Sequence, residues 1–114
     1  MAATPATARL VATQQAAADD PWAGLAGLAA YEVQAADVAA SKGAGLRARY
    51  GISPAGTAFW DVHAALESDH ADWSISALSS SGVAPTELAA HARVAADAWW
   101  AFLDEREAAA PVAV

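Results

Sequence analysis

Thr57–Ser79 reads TAFWDVHAALESDHADWSISALS, and winding it as an α-helix puts polar chemistry where packing is expected. At 100° per residue, His63, Glu67 and His70 fall within about 60° of one another, at i, i+4 and i+7. Phe59, Trp60, Leu66, Trp73, Ala77 and Leu78 flank them, while Asp61, Ser68, Asp69 and Asp72 point the other way. Two imidazoles and a carboxylate therefore sit in the middle of an apolar arc, the side of a helix that normally packs inward. Buried charge and unpaired imidazole are costly, so such groups are usually paired or bound to a metal. On these residues alone, a metal-binding face and an acidic surface helix carrying two histidines are evenly matched. The spacing is not the H-E-x-x-H pattern of zinc proteases.

The preceding pattern, from Pro21 to about Tyr50, is also helical. With Glu32 as the reference direction, Leu25, Leu28, Ala29, Ala36, Ala39 and Leu46 lie within about 60° of it, and Gln34, Asp37 and Ser41 lie opposite. A lone carboxylate again occupies the centre of an apolar face. Two helices with the same feature point to one shared site. Lys42 stands at the edge of this face, where its stem reaches either inward or to water, with water the default.

Asp19-Asp20-Pro21 predicts a helix start, with Asp20 as cap and Pro21 in the first turn. Gly43-Ala-Gly45 is a point of weakness, and Gly51-Ile-Ser-Pro54 ends the helix. Thr57 is a candidate N-cap for the next one. A loop, Ser79–Gly82, leads to a last helix from Pro85 to about Arg106. Its apolar arc holds Leu88, Val94, Ala95, Ala98, Trp99 and Phe102, with His91 inside it as a packed core histidine. Trp100 falls opposite, among Arg93, Asp97 and Asp104, as a partner contact. A weaker helix is expected around 7–18 with a frayed start. The expected division is 1–19 as a partly disordered helical lead, 20–107 as a helical domain and 108–114 as a disordered tail. The class is all-α, a helical bundle.

Of the 114 residues 56% are hydrophobic and only 17% charged, and alanine supplies much of the apolar share, which favours helix. Five Trp in so short a chain imply that some helix faces are covered by something else. Thirteen acidic against six basic residues give a net charge of −7 without any basic run, which argues against nucleic acid and anionic membranes as partners. Zero cysteines exclude disulfides and thiolate chemistry. The chain carries no basic-then-apolar leader and no 18-residue apolar span, so a soluble, cytoplasmic protein is expected.

Inward carboxylates and imidazoles on two helices are the construction of metal-binding bundles. The candidate ligands Glu32, His63, Glu67 and His70 mix nitrogen and oxygen donors without sulfur, a set that suits non-haem Fe(II) and is compatible with Mn or Zn. Trp60, Trp73 and Phe59 are expected to keep such a site dry.

The order AAYEVQAADVAASKGAGLRARYGI, FWDVHAALESDHADW, AADAWWAFLD resembles the haem-oxygenase-like di-iron oxidases, relatives of the TenA (thiaminase II) and pyrroloquinoline-quinone synthase groups. The resemblance covers roughly residues 20–105. It implies a seven-helix bundle carrying iron, a bridging glutamate at Glu32, and a second iron held by His63, Glu67 and His70. It also puts Lys42, ten residues after the glutamate, near the site in a tentative catalytic role. The implied activity is O₂-dependent oxidation of a small organic substrate. The family's first metal position is completed by a Glu and a His on an earlier helix, and residues 1–31 contain neither. The chain is therefore expected to be the C-terminal half of such a domain: a truncated or split oxidase, or a decayed one. The expected partner is a missing N-terminal half or a second copy through self-association. Two alternatives stand beside it. One is a metal-free TenA-like or quinone-synthase-like enzyme, against whose thiaminase version the absence of cysteine counts. The other is a non-catalytic helical interaction protein.

Overall fold

A computed structural model describes residues 2–110. Four helices and a short 3₁₀ turn form: α1 Pro5–Ala17, α2 Pro21–Tyr50, the turn Ala55–Thr57, α3 Ala58–Ser79 and α4 Pro85–Ala109. Among the described residues there is no strand, as the alanine-rich composition predicts. The tail expected over 108–114 lies outside the described residues from 111 onward, and α4 continues to Ala109.

The 30-residue α2 is the axis of the fold. The Asp20 carboxylate accepts the Trp22 and Ala23 N–H groups at 2.9 and 3.4 Å, which satisfies two orphan donors of the first turn beside Pro21. At the far end Gly51 takes the left-handed conformation, φ +65°, and its N–H closes on the Leu46 carbonyl. Arg47 and Arg49 stand in the last turn, where cations complement the helix dipole.

The Gly43–Gly45 segment neither breaks nor ends α2. Gly43 is buried because α3 crosses directly over it: a Cβ there would lie 3.3 Å from the Trp60 Cβ. The seams of α2 are built from small residues, Ala23, Ala26, Gly27, Ala29, Ala35, Ala39 and Gly43. Of the arc expected around Glu32, Ala29 and Ala39 are buried, whereas Leu28 is 49% exposed. Small side chains let two helices approach α2 from different sides. Gly27 meets Ala95 of α4, and Ala35 and Ala39 share a groove with Phe59 and Trp60 of α3. Alanine also forms the seam of α4, where Ala95 and Ala98 are buried while Val94 is exposed.

Thr57 precedes α3 without capping it through its side chain. Its hydroxyl instead accepts Arg47 Nη1 at 2.7 Å, and Arg47 reaches on to Asp61 Oδ1 at 3.0 Å. This tether joins the end of α2 to the start of α3. At the other end of the molecule Glu105 of α4 accepts the Thr4 hydroxyl and the Ala6 N–H at 3.0 Å, capping α1 from a different helix. His91 is half-buried beside the groove between α1 and α4, 4.0 Å from Glu87.

α3 and α4 each lie along α2 but do not pair along their own lengths, so the helices form an open layer. The consequence is measurable. A folded chain of this length has a radius of gyration of about 13 Å and exposes about 5,800 Å². This one measures 16.4 Å and 7750 Å². Tyr31, Val33, Val38, Val62, Leu66 and Ile75 are among the apolar groups left outside.

Candidate metal centre

α2 contributes Glu32 and α3 contributes Glu67 and His70. One ligand atom from each lies within 4.8 Å of the other two, and all three residues are half-buried. Because Glu67 and His70 are three apart, they share a face of α3; Glu32 stands on the seam of α2 that α3 covers. Metal–oxygen and metal–nitrogen bonds of about 2.0–2.2 Å allow two donors on one ion to stand about 4.4 Å apart. That separation holds only for opposite donors, and three donors sharing one ion stand at most about 3.6 Å from one another, so the group converges on one point but must close by up to about 1 Å to grip an ion together.

The hydrogen bonds around these groups set their presentation. Ser74, one turn past His70 and only 8% exposed, donates its hydroxyl to Glu32 Oε2 at 2.6 Å. His70 Nδ1–H donates to Glu67 Oε2 at 3.3 Å, which leaves the Nε2 lone pair for a ligand. No buried side-chain polar atom among the described residues lacks a partner.

His63 stands apart from this group. Its Nδ1–H donates to the Phe59 carbonyl at 2.7 Å, one turn back on the same helix. Its ring stacks on Phe59 with centroids 3.9 Å apart. Together with Glu67, Tyr31, Val38 and Trp60 it lines a groove of about 230 Å³. Lys42 is exposed and places Nζ 4.9 Å from the centre of the Trp60 ring, on the same side of α2 as α3 but outside the three-ligand group. The site is also wetter than the sequence suggests. Phe59 is 59% and Trp73 67% exposed, because nothing among the described residues lies over the outer side of α3.

Ser74 is the site residue that the sequence reading passed over. Its signal was present: it continues the stripe of Glu67 and His70 at i+7 and i+4, in a position that packing would fill with an apolar group.

The sequence profile of the iron-containing redox enzymes matches residues 1–111. This chain belongs to that family. It is also similar to the 4-aminobenzoate synthase of Nitrosomonas europaea, with 39% identity over 108 residues. That match takes in 90% of this chain and 44% of the relative, so the chain spans less than half of the relative's length. No solved structure matches it. The all-α, haem-oxygenase-like class expected from the sequence is what the family and the fold show. None of the described helices is long and apolar enough to cross a membrane.

Proposed function

We propose that this chain is the iron-holding part of a non-haem oxidoreductase that uses O₂ to oxidise a small organic substrate. The observation that carries the reading is the convergence of Glu32 from one helix with Glu67 and His70 from another. Membership of an iron-containing redox family supports it. Mn and Zn are compatible with the same donors. Iron, when bound, supplies the redox chemistry with O₂. The chain's own part is to hold the ion with two carboxylates and one imidazole, and to offer the groove beside Glu67, walled by Tyr31, Val38 and Trp60, to an organic molecule. Formation of an aminobenzoate is a narrower version that rests on the relative's name alone. A dinuclear centre, as the resemblance implies, would need further ligands from other protein. His63, which lines the same groove as Glu67, is a further candidate ligand on this chain. Lys42 is the proposed catalytic cation, because it stands on the α3 side of α2 with its ammonium on Trp60.

The exposed apolar face favours completion by more protein, either an N-terminal half or a second copy, in a cytoplasmic assembly. If that face kept its partner while losing iron, the chain would be a helical interaction protein, and the same experiment separates the two. The chain is loaded anaerobically with Fe(II), desalted and assayed for iron and for molecular mass. About one iron per chain, lost in Glu32→Ala and His70→Ala, supports the oxidoreductase. Equal iron in all three proteins would discard it. In the completed enzyme, Lys42→Met should lower turnover with iron content unchanged.

A further inference from the structure

We infer that the hollow between α2 and α4 is a binding site for a planar aromatic carboxylate about two fused rings long. The inference does not depend on the metal reading: the hollow is walled by α2 and α4 alone and contains none of Glu32, Glu67 and His70. Its volume is about 320 Å³, within the range of small-molecule sites. Trp99 packs on Tyr31 with ring centroids 5.2 Å apart, and Phe102 stands edge-on to Trp99 at 6.0 Å. Trp100 completes the aromatic wall. The sequence puts it opposite the packed arc of α4, yet it lines this hollow while 60% exposed. Ala30 and Ala96, with no side chain beyond Cβ, leave the space between the helices open.

The polar lining decides the charge of the ligand. In a chain of net charge −7, no carboxylate lines this hollow; its one charged lining group is Lys42, and its amide is Gln34. An aromatic wall by itself also suits a quaternary ammonium, but a lysine at the same hollow repels one. A carboxylate instead gains a charge-assisted bond from the ammonium. Lys42 is exposed and rests 4.9 Å from the centre of the Trp60 ring, so turning its stem to a ligand gives up one exposed cation–π contact. The length follows from the helix. Lys42 lies eleven residues beyond Tyr31, about 16 Å along α2 at 1.5 Å per residue. A single ring stacked on the Tyr31 side would hold its carboxylate short of the ammonium, and a second fused ring closes that gap. Tyr31 and Val38 also line the groove beside Glu67, so the two hollows share a wall.

The test is titration of the metal-free full chain with 2-naphthoate at neutral pH, followed by nuclear magnetic resonance. The uncharged 2-naphthamide, the saturated decahydro-2-naphthoate and choline are the comparison ligands. 2-Naphthoate should bind about 2- to 5-fold more tightly than the amide, and Lys42→Met should erase that preference without changing the affinity for the amide. The saturated acid, with the same charge and no π-face, should bind about 2- to 10-fold more weakly than 2-naphthoate, and Trp100→Ala should narrow the difference. Equal affinity for the aromatic and saturated acids would overturn the inference, as would tighter binding of choline. No binding of 2-naphthoate would overturn it too, and would leave the metal reading standing. Nuclear Overhauser contacts locate the ligand on the parent, whether or not a variant folds. Contacts to Trp99, Trp100 and Phe102 support the site; contacts confined to Phe59 and Trp73 of α3 would refute it.

Discussion

Replacing His63 and His70 in turn by alanine separates two histidines that the sequence places on one stripe. If His63 swings out of its present place to reach an ion between Glu32, Glu67 and His70, it gives up its 2.7 Å bond to the Phe59 carbonyl and the ring stacked at 3.9 Å. The bond contributes about 1 kcal/mol and the stack about 0.5–1.5 kcal/mol. Giving up both costs about 1.5–2.5 kcal/mol, which divides the gain from a fourth ligand by about 10- to 70-fold. His63→Ala should therefore change Mn(II) affinity of the isolated chain by less than about 5-fold. His70 already stands in the group, and its loss should exceed the ~10- to 100-fold typical of groups that only orient a ligand. Calorimetric titration at neutral pH reads both, with circular dichroism confirming that each variant is helical. Equal weakening by the two substitutions would refute the argument, because it would mean that His63 swings into the site at little cost.

Arg47→Met removes the bond to buried Thr57 and a largely exposed ion pair with Asp61. Urea denaturation should show a loss of about 1–2 kcal/mol, most of it absent in Asp61→Asn, since exposed pairs contribute little. Gly51→Ala forces a Cβ into φ +65° and should cost about 1–2 kcal/mol by the same measurement, with no clash to relieve. Glu105 gives the pH dependence. The Thr4 hydroxyl first, then the Ala6 N–H and Arg106, hold its carboxyl below the usual carboxylate range. A lowered folded value means that its contribution is complete above the ordinary value of about 4.3 and is lost as pH falls through the lower folded value. Amide exchange in α1 should accelerate only in that acid window, and Glu105→Gln should bring the acceleration to neutral pH.

The helix ends were legible because each is local chemistry. Asp20-Pro21 caps, Gly51 turns left-handed and Pro85 starts, and none of these needs a distant partner. The pairing of Glu32 with Glu67 and His70 was legible as an excess of polar groups on apolar arcs. Which residues of the α3 stripe meet Glu32 was not, because helical phase fixes direction around an axis but not sliding along it. That sliding is set by Gly43 under Trp60 and by Arg47 on Thr57 and Asp61, contacts between distant parts of the sequence. Hydropathy also failed to separate packed from unpacked apolar sides. Leu28, Phe59 and Trp73 read as core, yet the seams went to alanine and glycine, which allow close approach, and the larger groups remained outside.

The division of the ligands between α2 and α3 has a mechanical consequence. α3 is held to the rest of the chain by its single long contact with α2, by the Arg47 tether at one end and by the short loop to α4 at the other. A roll or a slide of α3 on α2 moves Glu67 and His70 relative to Glu32. The distance from Glu32 to Glu67 and His70 is a direct gauge of both. If an ion grips all three it acts as a bolt through a hinge, and a partner docked on the outer side of α3 would tighten or loosen that grip by leaning on one helix. Ligand exchange at such an ion and docking at that face would share one coordinate, so measuring either would report on the other.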